Sequence, residues 1–224
     1  MKAMLIGILA LGTSSAFAQN LTKDQFAKLL QSRKAQLEAV SVGMSKSTVT
    51  TASVTLDDGT KCDYTQTALQ SILRIDGDKM IILSKESFQP VASAACTAGG
   101  LQAFQENVLF YEDKPSVDQD IKDLTESDVK SIVKAGDQVT MTVNGTLTND
   151  DGTTTTELVT VKYDLTKSSF KNLILNQSPS TKVETTDAID LDLTTVDLHD
   201  VVFCENNDAD NSDCVRGDFS DILF

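Results

Sequence analysis

Apolar and polar residues alternate most regularly between Val139 and Leu165. Val139, Met141, Val143, Gly145 and Leu147 interleave with Thr140, Thr142, Asn144, Thr146 and Thr148. Asn149-Asp150-Asp151-Gly152 signals a turn, and Val159, Val161, Tyr163 and Leu165 then interleave with Thr160, Lys162 and Asp164. A period of two predicts a hairpin with one face buried and the other wet.

Other segments read in the same terms. Thr48–Leu56 is dense in Thr and Val, Asp57-Asp58-Gly59 is a turn signal, and Thr60–Thr65 returns as a strand. A second hairpin is predicted from Ser71–Ile75, Asp76-Gly77-Asp78 and Lys79–Ser84, and Gln89–Gly100 reads as a small-residue loop tied back by Cys96. Phe170–Asn176 and Ala188–Phe203 are two more predicted strands, with the phase slipping near Thr194-Thr195 as at a bulge.

Two stretches carry the helical period. Thr22 and Gln25 have capping-box spacing, and Phe26, Leu29, Leu30 and Leu37 fall on one face, predicting a helix over Thr22–Ala39. After Pro115, Ser116 and Gln119 repeat the cap. Ile121, Leu124, Val129, Ile132 and Val133 form an apolar side, with a restart at Thr125 and Asp128 and a stop at Gly136.

The fold class expected is therefore α+β, a predominantly antiparallel sheet with helices packed on one face. The halves 19–114 and 115–224 resemble each other. Each runs helix, Thr-rich strand, Asp-Asp-Gly-Thr turn (Asp57–Thr60; Asp150–Thr153), strand ending at a tyrosine (Tyr64; Tyr163), apolar strand, then a cysteine. That order fits a tandem duplication of a helix plus four strands. The competing reading is that Thr-rich hairpins with Asp-Gly turns look alike by chemistry alone. Exported inhibitor proteins and periplasmic carriers of lipidated proteins share such an architecture at the level of fold, and no motif assigns the chain to either group.

The first residues change the setting. Lys2, the apolar run Ala3–Leu11 and the small-residue end Ala16-Phe17-Ala18 form a secretory signal peptide over residues 1–18, leaving Gln19–Phe224. The run is shorter than the ~20 apolar residues of a membrane-spanning helix. No cysteine follows the cleavage site, which disfavours a lipid anchor. The brevity of the signal and its single lysine read as bacterial, and the localisation expected is periplasmic or secreted.

Export gives the four cysteines a meaning. Cys62, Cys96, Cys204 and Cys214 are expected to form disulfides in an oxidising compartment, with the sequence-local pairing Cys62–Cys96 and Cys204–Cys214 preferred among three. On the chain-entropy model these would contribute about 4 and about 3 kcal/mol. Zinc is disfavoured, since no C-x-x-C pair exists and His199 is the sole histidine.

Net charge is −14 and unevenly spread: Val183–Phe224 holds twelve acids against one base, Arg216. Such a segment repels nucleic acid and anionic membrane surfaces and attracts divalent cations or basic partners. Within it, Asp208, Asp210 and Ser212 have the 1, 3, 5 spacing of a calcium loop, with Asp213 beside them. This is a candidate weak calcium site. Asp213 stands where an EF-hand needs Gly, Arg216 stands at position nine, and Phe219 replaces the bidentate Glu. The alternative is a disulfide-closed polar loop that binds nothing.

Enzyme chemistry finds little support. His199, flanked by Asp197 and Asp200 in a strand-like run, has no nucleophile motif beside it. Ser127/Lys130 and Ser131/Lys134 match S-x-x-K without its companion elements. Absence of Trp and only three Tyr argue against sugar cleavage, and no Gly-rich phosphate loop occurs. Arg216-Gly217-Asp218 spells the integrin tripeptide by coincidence. The terminal Ile222-Leu223-Phe224 has the look of an outer-membrane barrel ending, but aromatic girdles are missing.

The function expected is a non-catalytic binding or interaction protein of the bacterial cell envelope. It would use exposed loops such as Asp57–Thr60, Asn149–Thr153 or Cys204–Cys214. The alternatives are a carrier of a hydrophobic ligand or lipidated protein, with an apolar cavity between sheet and helix, and more weakly a secreted hydrolase. No cofactor other than calcium, no nucleic acid and no membrane span are expected.

Overall fold

The structure is a computed structural model that describes residues 18–91, 93–148, 154–177, 181–204 and 214–223. Residues 1–17, which hold nearly all of the expected signal peptide, lie outside the described residues.

The class is α+β. Twelve strands form one sheet, which four helices accompany among the described residues. After β1 (Gln19–Asn20), α1 (Lys23–Ser32) and α2 (Lys34–Leu37) lead into the meander β2 (Ser45–Thr55), β3 (Lys61–Asp76), β4 (Lys79–Pro90) and β5 (Phe104–Asp113). A short α3 (Ala94–Ala98) stands between β4 and β5. A single α4 (Val117–Glu126) leads into a second meander: β6 (Asp128–Ala135), β7 (Gln138–Thr148), β8 (Thr154–Asp164) and β9 (Leu173–Gln177). Then come β10 (Thr181–Asp187), β11 (Val201–Cys204) and β12 (Cys214–Gly217). β10 pairs with β9 on one side and β2 on the other, merging both meanders into the order β1-β6-β7-β8-β9-β10-β2-β3-β4-β5-β11-β12. Every described pairing is antiparallel except β5 with β11.

The helix-bearing face forms as the alternation predicts. Thr22 Oγ1 accepts from Gln25 N at 3.2 Å while Gln25 Oε1 accepts from Thr22 N at 2.9 Å, closing the capping box of α1. Phe26 and Leu30 of α1, Leu37 of α2, and Val117 and Leu124 of α4 then pack on Ile132, Val139, Met141 and Leu165. Each such side chain contributes about 1.5–3 kcal/mol when fully buried. The predicted helix Thr22–Ala39 is broken at Arg33, whose φ of −111° and ψ of 10° separate α1 from α2. On the same face, further along the sheet, Ile72, Met80, Ile82 and Phe110 pack against Phe170.

Sheet residues at the turn end of β3 and β4 are buried on both faces. Leu73, Ile81, Leu83 and Leu109 meet Leu198 and Val201 from the C-terminal segment, with Leu191, Leu193, Phe203, Phe219 and Ile222 packed around them. This explains the unbroken run Met80-Ile81-Ile82-Leu83, all buried, where β7 alternates.

Several expectations are corrected. Asp128–Ala135 is strand β6, not the restarted second half of the helical region expected between Pro115 and Gly136. A bulge between Val129 and Ser131 shifts the register by one. It places Val129 and Ile132, three apart, toward one core and so imitates a helical period. Gly136, expected to stop that helix, takes φ +63° in the β6–β7 hairpin turn. Ala188–Phe203 is not a strand: β10 ends at Asp187 and β11 starts at Val201. Between them, Ser45 N and Lys171 Nζ donate to Asp190, Leu191 N donates to Gly43 O, and Asp192 caps a 3-10 turn at Leu193–Thr195. Local side-chain bonds thus replace a ladder, and Ile189 is 94% exposed. Phe170 sits in a 3-10 turn, Ser169–Lys171, ahead of β9. Gln89–Gly100 contains the end of β4 and all of α3, and Phe104–Asp113, unassigned from sequence, is β5.

Candidate functional site

An apolar opening lies where the β3 end meets the C-terminal segment. It measures about 710 Å³ and is lined by Val42, Leu73, Ile75, Leu193 and Ile222, with Arg74 and Thr194 at its edge. Clefts of this volume match those that hold small ligands.

Each wall has a local cause. A register shift between Ile72 and Arg74 turns Leu73 out of strict alternation. Val42 precedes Gly43, whose φ of +90° lets its N–H donate to Ile72 O at 2.8 Å while its carbonyl accepts from Leu191 N at 2.9 Å. That contact brings Leu193 alongside β3. Ile222 belongs to the 3-10 turn Ser220–Leu223, begun by Asp218, whose Oδ1 accepts from Ser220 N (3.0 Å) and Ser220 Oγ (2.7 Å). Phe219 N donates to Leu198 O at 2.9 Å.

Polar groups pin this wall from outside. His199 Nδ1 lies 3.0 Å from Asp218 Oδ2, and Arg216 pairs with Asp200 at 3.0 Å and Glu106 at 3.3 Å. The Asp218 hydrogen bond, then the Asp218 and Asp197 charges, raise the His199 pKa above its ordinary value, and the same pair holds the Asp218 carboxyl well below the carboxylate range. At the cleft edge, Arg74 Nε donates to Asp76 at 3.0 Å. The guanidinium thus stands beside an apolar hollow.

Acids gather elsewhere. A second cleft of about 720 Å³ lies between α2, the β5–α4 link and α4, with Glu38, Asp78, Asp113 and Asp120 in its lining. Burial, then the Asp123 and Glu38 charges, push Asp120 up to about 6, and its buried Oδ2 has no hydrogen-bond partner among the described residues. Burial, followed by Asp120 and Asp123, also raises the Tyr163 hydroxyl. Burial lowers the Lys46 ammonium, against an opposing effect from Glu112, and its Nζ lies 4.4 Å over the Phe170 ring.

The sites expected from sequence fall as follows. Cys62 is bonded to Cys96, with Cα atoms 5.8 Å apart, and Cys204 to Cys214 at 4.3 Å. Two disulfides point to an oxidising, extracytoplasmic setting. Asp208, Asp210, Ser212 and Asp213 lie outside the described residues, as does the Asn149–Thr153 loop. Among the described residues no three His, Cys, Asp or Glu side chains are placed to share a metal ion. His199 is exposed in a loop, not on a strand. The S-x-x-K lysines reach other partners: Lys130 goes to Asp128 at 2.9 Å and Lys134 to Gly136 O at 2.6 Å. Arg216 and Asp218 of the tripeptide are both engaged within the fold. No described helix is long and apolar enough to cross a membrane.

Sequence reading missed the cleft residues Val42, Leu73, Ile75, Leu193 and Ile222, because a bulge and a folded-back segment bring them together. The available signal was Ile72-Leu73 beside the run Met80–Leu83: a strand pair apolar on both faces needs a second cover.

Compared with protein-family models, curated proteins and solved structures, the chain finds no match in any of the three.

Proposed function

We propose that this is an exported, non-catalytic binding protein of the bacterial cell envelope, periplasmic or secreted, whose apolar cleft takes a hydrophobic ligand. The carrying observation is the cleft of about 710 Å³ lined by Val42, Leu73, Ile75, Leu193 and Ile222. An apolar chain entering it covers the exposed Val42 and the half-buried Ile75, Leu193 and Ile222 over the already buried Leu73, at about 25 cal/mol per Å² of apolar surface removed from water. Arg74 at the edge suits an anionic head group, so an amphiphile such as a fatty acid is the ligand class favoured. The core between helices and sheet, by contrast, is filled by Phe26, Leu30, Leu37 and their neighbours.

The test is fluorescence titration with a dansyl-labelled fatty acid, displaced by palmitate. Saturable, displaceable binding is expected. Leu193→Asp should weaken it at least tenfold, equivalent to about 1.4 kcal/mol, with an unchanged circular dichroism spectrum. Arg74→Gln should weaken the acid but not the matching alcohol. An absence of saturable signal, or equal binding by the Leu193→Asp variant, overturns the proposal.

A further inference from the structure

Past the register shift in β3, Arg74 lies opposite Ile81 and Asp76 opposite Lys79. Two residues apart on one strand, Arg74 and Asp76 share a face. Arg74 Nε donates to Asp76 Oδ1 at 3.0 Å, and Asp76 Oδ2 lies 3.0 Å from the same nitrogen. Both side chains are about half exposed, so the pair adds little to stability. Its effect is on geometry. Asp76 fixes the guanidinium through Nε alone, and among the described residues Nη1 and Nη2 have no partner.

These two nitrogens stand at the apolar cleft. Among the described lining residues Arg74 alone is charged, and Thr194 is the only other one with a polar side chain. Thr194 Oγ1 donates to Asp192 Oδ1 at 2.7 Å, as Thr194 N does at 3.0 Å, so the hydroxyl has only lone pairs left for a ligand. The neighbouring Lys79 is held by Asp113 at 2.7 Å. Every side-chain donor that the described lining offers an anion is therefore on the Arg74 fork.

We infer, resting on the proposal that the cleft takes an amphiphile, that its head group is a planar monoanionic carboxylate gripped by Arg74 Nη1 and Nη2, with Asp76 as the residue that positions the fork. A carboxylate has two acceptor oxygens, and a guanidinium meets both with parallel N–H···O bonds. A phosphate monoester brings three such oxygens and a charge of about −1.5 to −2 at neutral pH. One fork leaves its third oxygen unmet, and the Asp76 carboxylate repels the larger charge more strongly. A lysine at the same position would supply charge without the fork. Asp76 thus acts on an anion in two opposing ways. Its charge repels, but its hold on Nε keeps the fork ready, so less side-chain freedom is lost on binding. The second effect prevails for a carboxylate, which uses both bonds the fork offers, and the first for a phosphate.

The test displaces the dansyl-labelled fatty acid with laurate, dodecanol or dodecyl phosphate at neutral pH, with circular dichroism as the check on folding. The native protein should bind laurate at least tenfold more tightly than either of the others. Arg74→Lys should lower the ratio of laurate to dodecanol affinity at least fivefold. Asp76→Ala should lower that ratio at least threefold while raising the ratio of dodecyl phosphate to dodecanol. Asp76→Asn, whose amide oxygen still accepts from Nε, should recover most of the preference for laurate. A merely structural role for Asp76 would move all three ligands together, and a merely electrostatic one would tighten laurate in Asp76→Ala. Either of those results, equal affinity for the three ligands, or a native ratio in Arg74→Lys overturns this proposal and leaves the cleft standing as a ligand site. A dansyl-labelled acid that does not bind overturns the cleft as a ligand site and this proposal with it.

Discussion

His199 Nδ1 and Asp218 Oδ2 meet at 3.0 Å, joining the loop before β11 to the turn that carries Ile222 into the apolar cleft. The pair is open to water, so it positions the C-terminal wall more than it stabilises the whole fold.

Its pH dependence has a definite sign. The His199 pKa is raised in the folded protein, so its contribution is fully present below the ordinary histidine value, about 6.5, and is lost as pH rises through the folded value. The Asp218 pKa is depressed, so its contribution is present above the ordinary aspartate value, about 3.9, and is lost as pH falls through the folded value. The wall is therefore held best between about pH 4 and 6.5. As the chain has one histidine, its imidazole resonance can be followed alone by NMR. We expect a midpoint above 6.5, returning toward 6.5 in Asp218→Asn. A native midpoint at or below 6.5 would mean that the pair does not form in solution.

Asp120 gives the opposite kind of pH effect. Its folded pKa is about 6, above the unfolded aspartate value near 3.9, so the native state binds the extra proton between those values and loses stability as pH rises through them. Above pH 6 the fold carries a partly buried carboxylate whose Oδ2 has no hydrogen-bond partner among the described residues. Asp120→Asn should stabilise the protein at pH 8 by about 1 kcal/mol after allowance for solvent screening. The two proteins should converge at pH 4. Thermal melts at both pH values check this, and a variant less stable at pH 8 would assign Asp120 a bonding role that its neighbours do not suggest.

How much of this was legible in the sequence depends on whether a segment's period matches its environment. The capping box at Thr22/Gln25 and the strict alternation of β7 were readable because local chemistry and burial agree there. The turns at Gly59 and Gly77 were readable for the same reason. β6 was misread because one bulged residue converts a period of two into an apparent spacing of three. The Ala188–Val201 region was misread because Asp190 and Asp192 bond locally, which no periodicity records. The cleft was invisible because Leu73 and Ile222 are about 150 residues apart, and only the return of the chain across β3–β5 unites them.

The two disulfides should separate stability from binding. Cys62–Cys96 closes a span of 34 residues and ties α3 to β3, far from the cleft lining, whereas Cys204–Cys214 closes a span of 10 and joins β11 to β12 at the base of the C-terminal wall. Loop-closure entropy grows with span, so replacing the first pair by alanine should cost about 4 kcal/mol and the second about 3. Urea denaturation measures that order. Fatty-acid affinity should move the other way: near native in Cys62→Ala/Cys96→Ala, and reduced in Cys204→Ala/Cys214→Ala, because β12 leads directly into the Asp218–Ile222 turn. Equal loss of affinity in both variants would show that the cleft follows global stability and not its own wall.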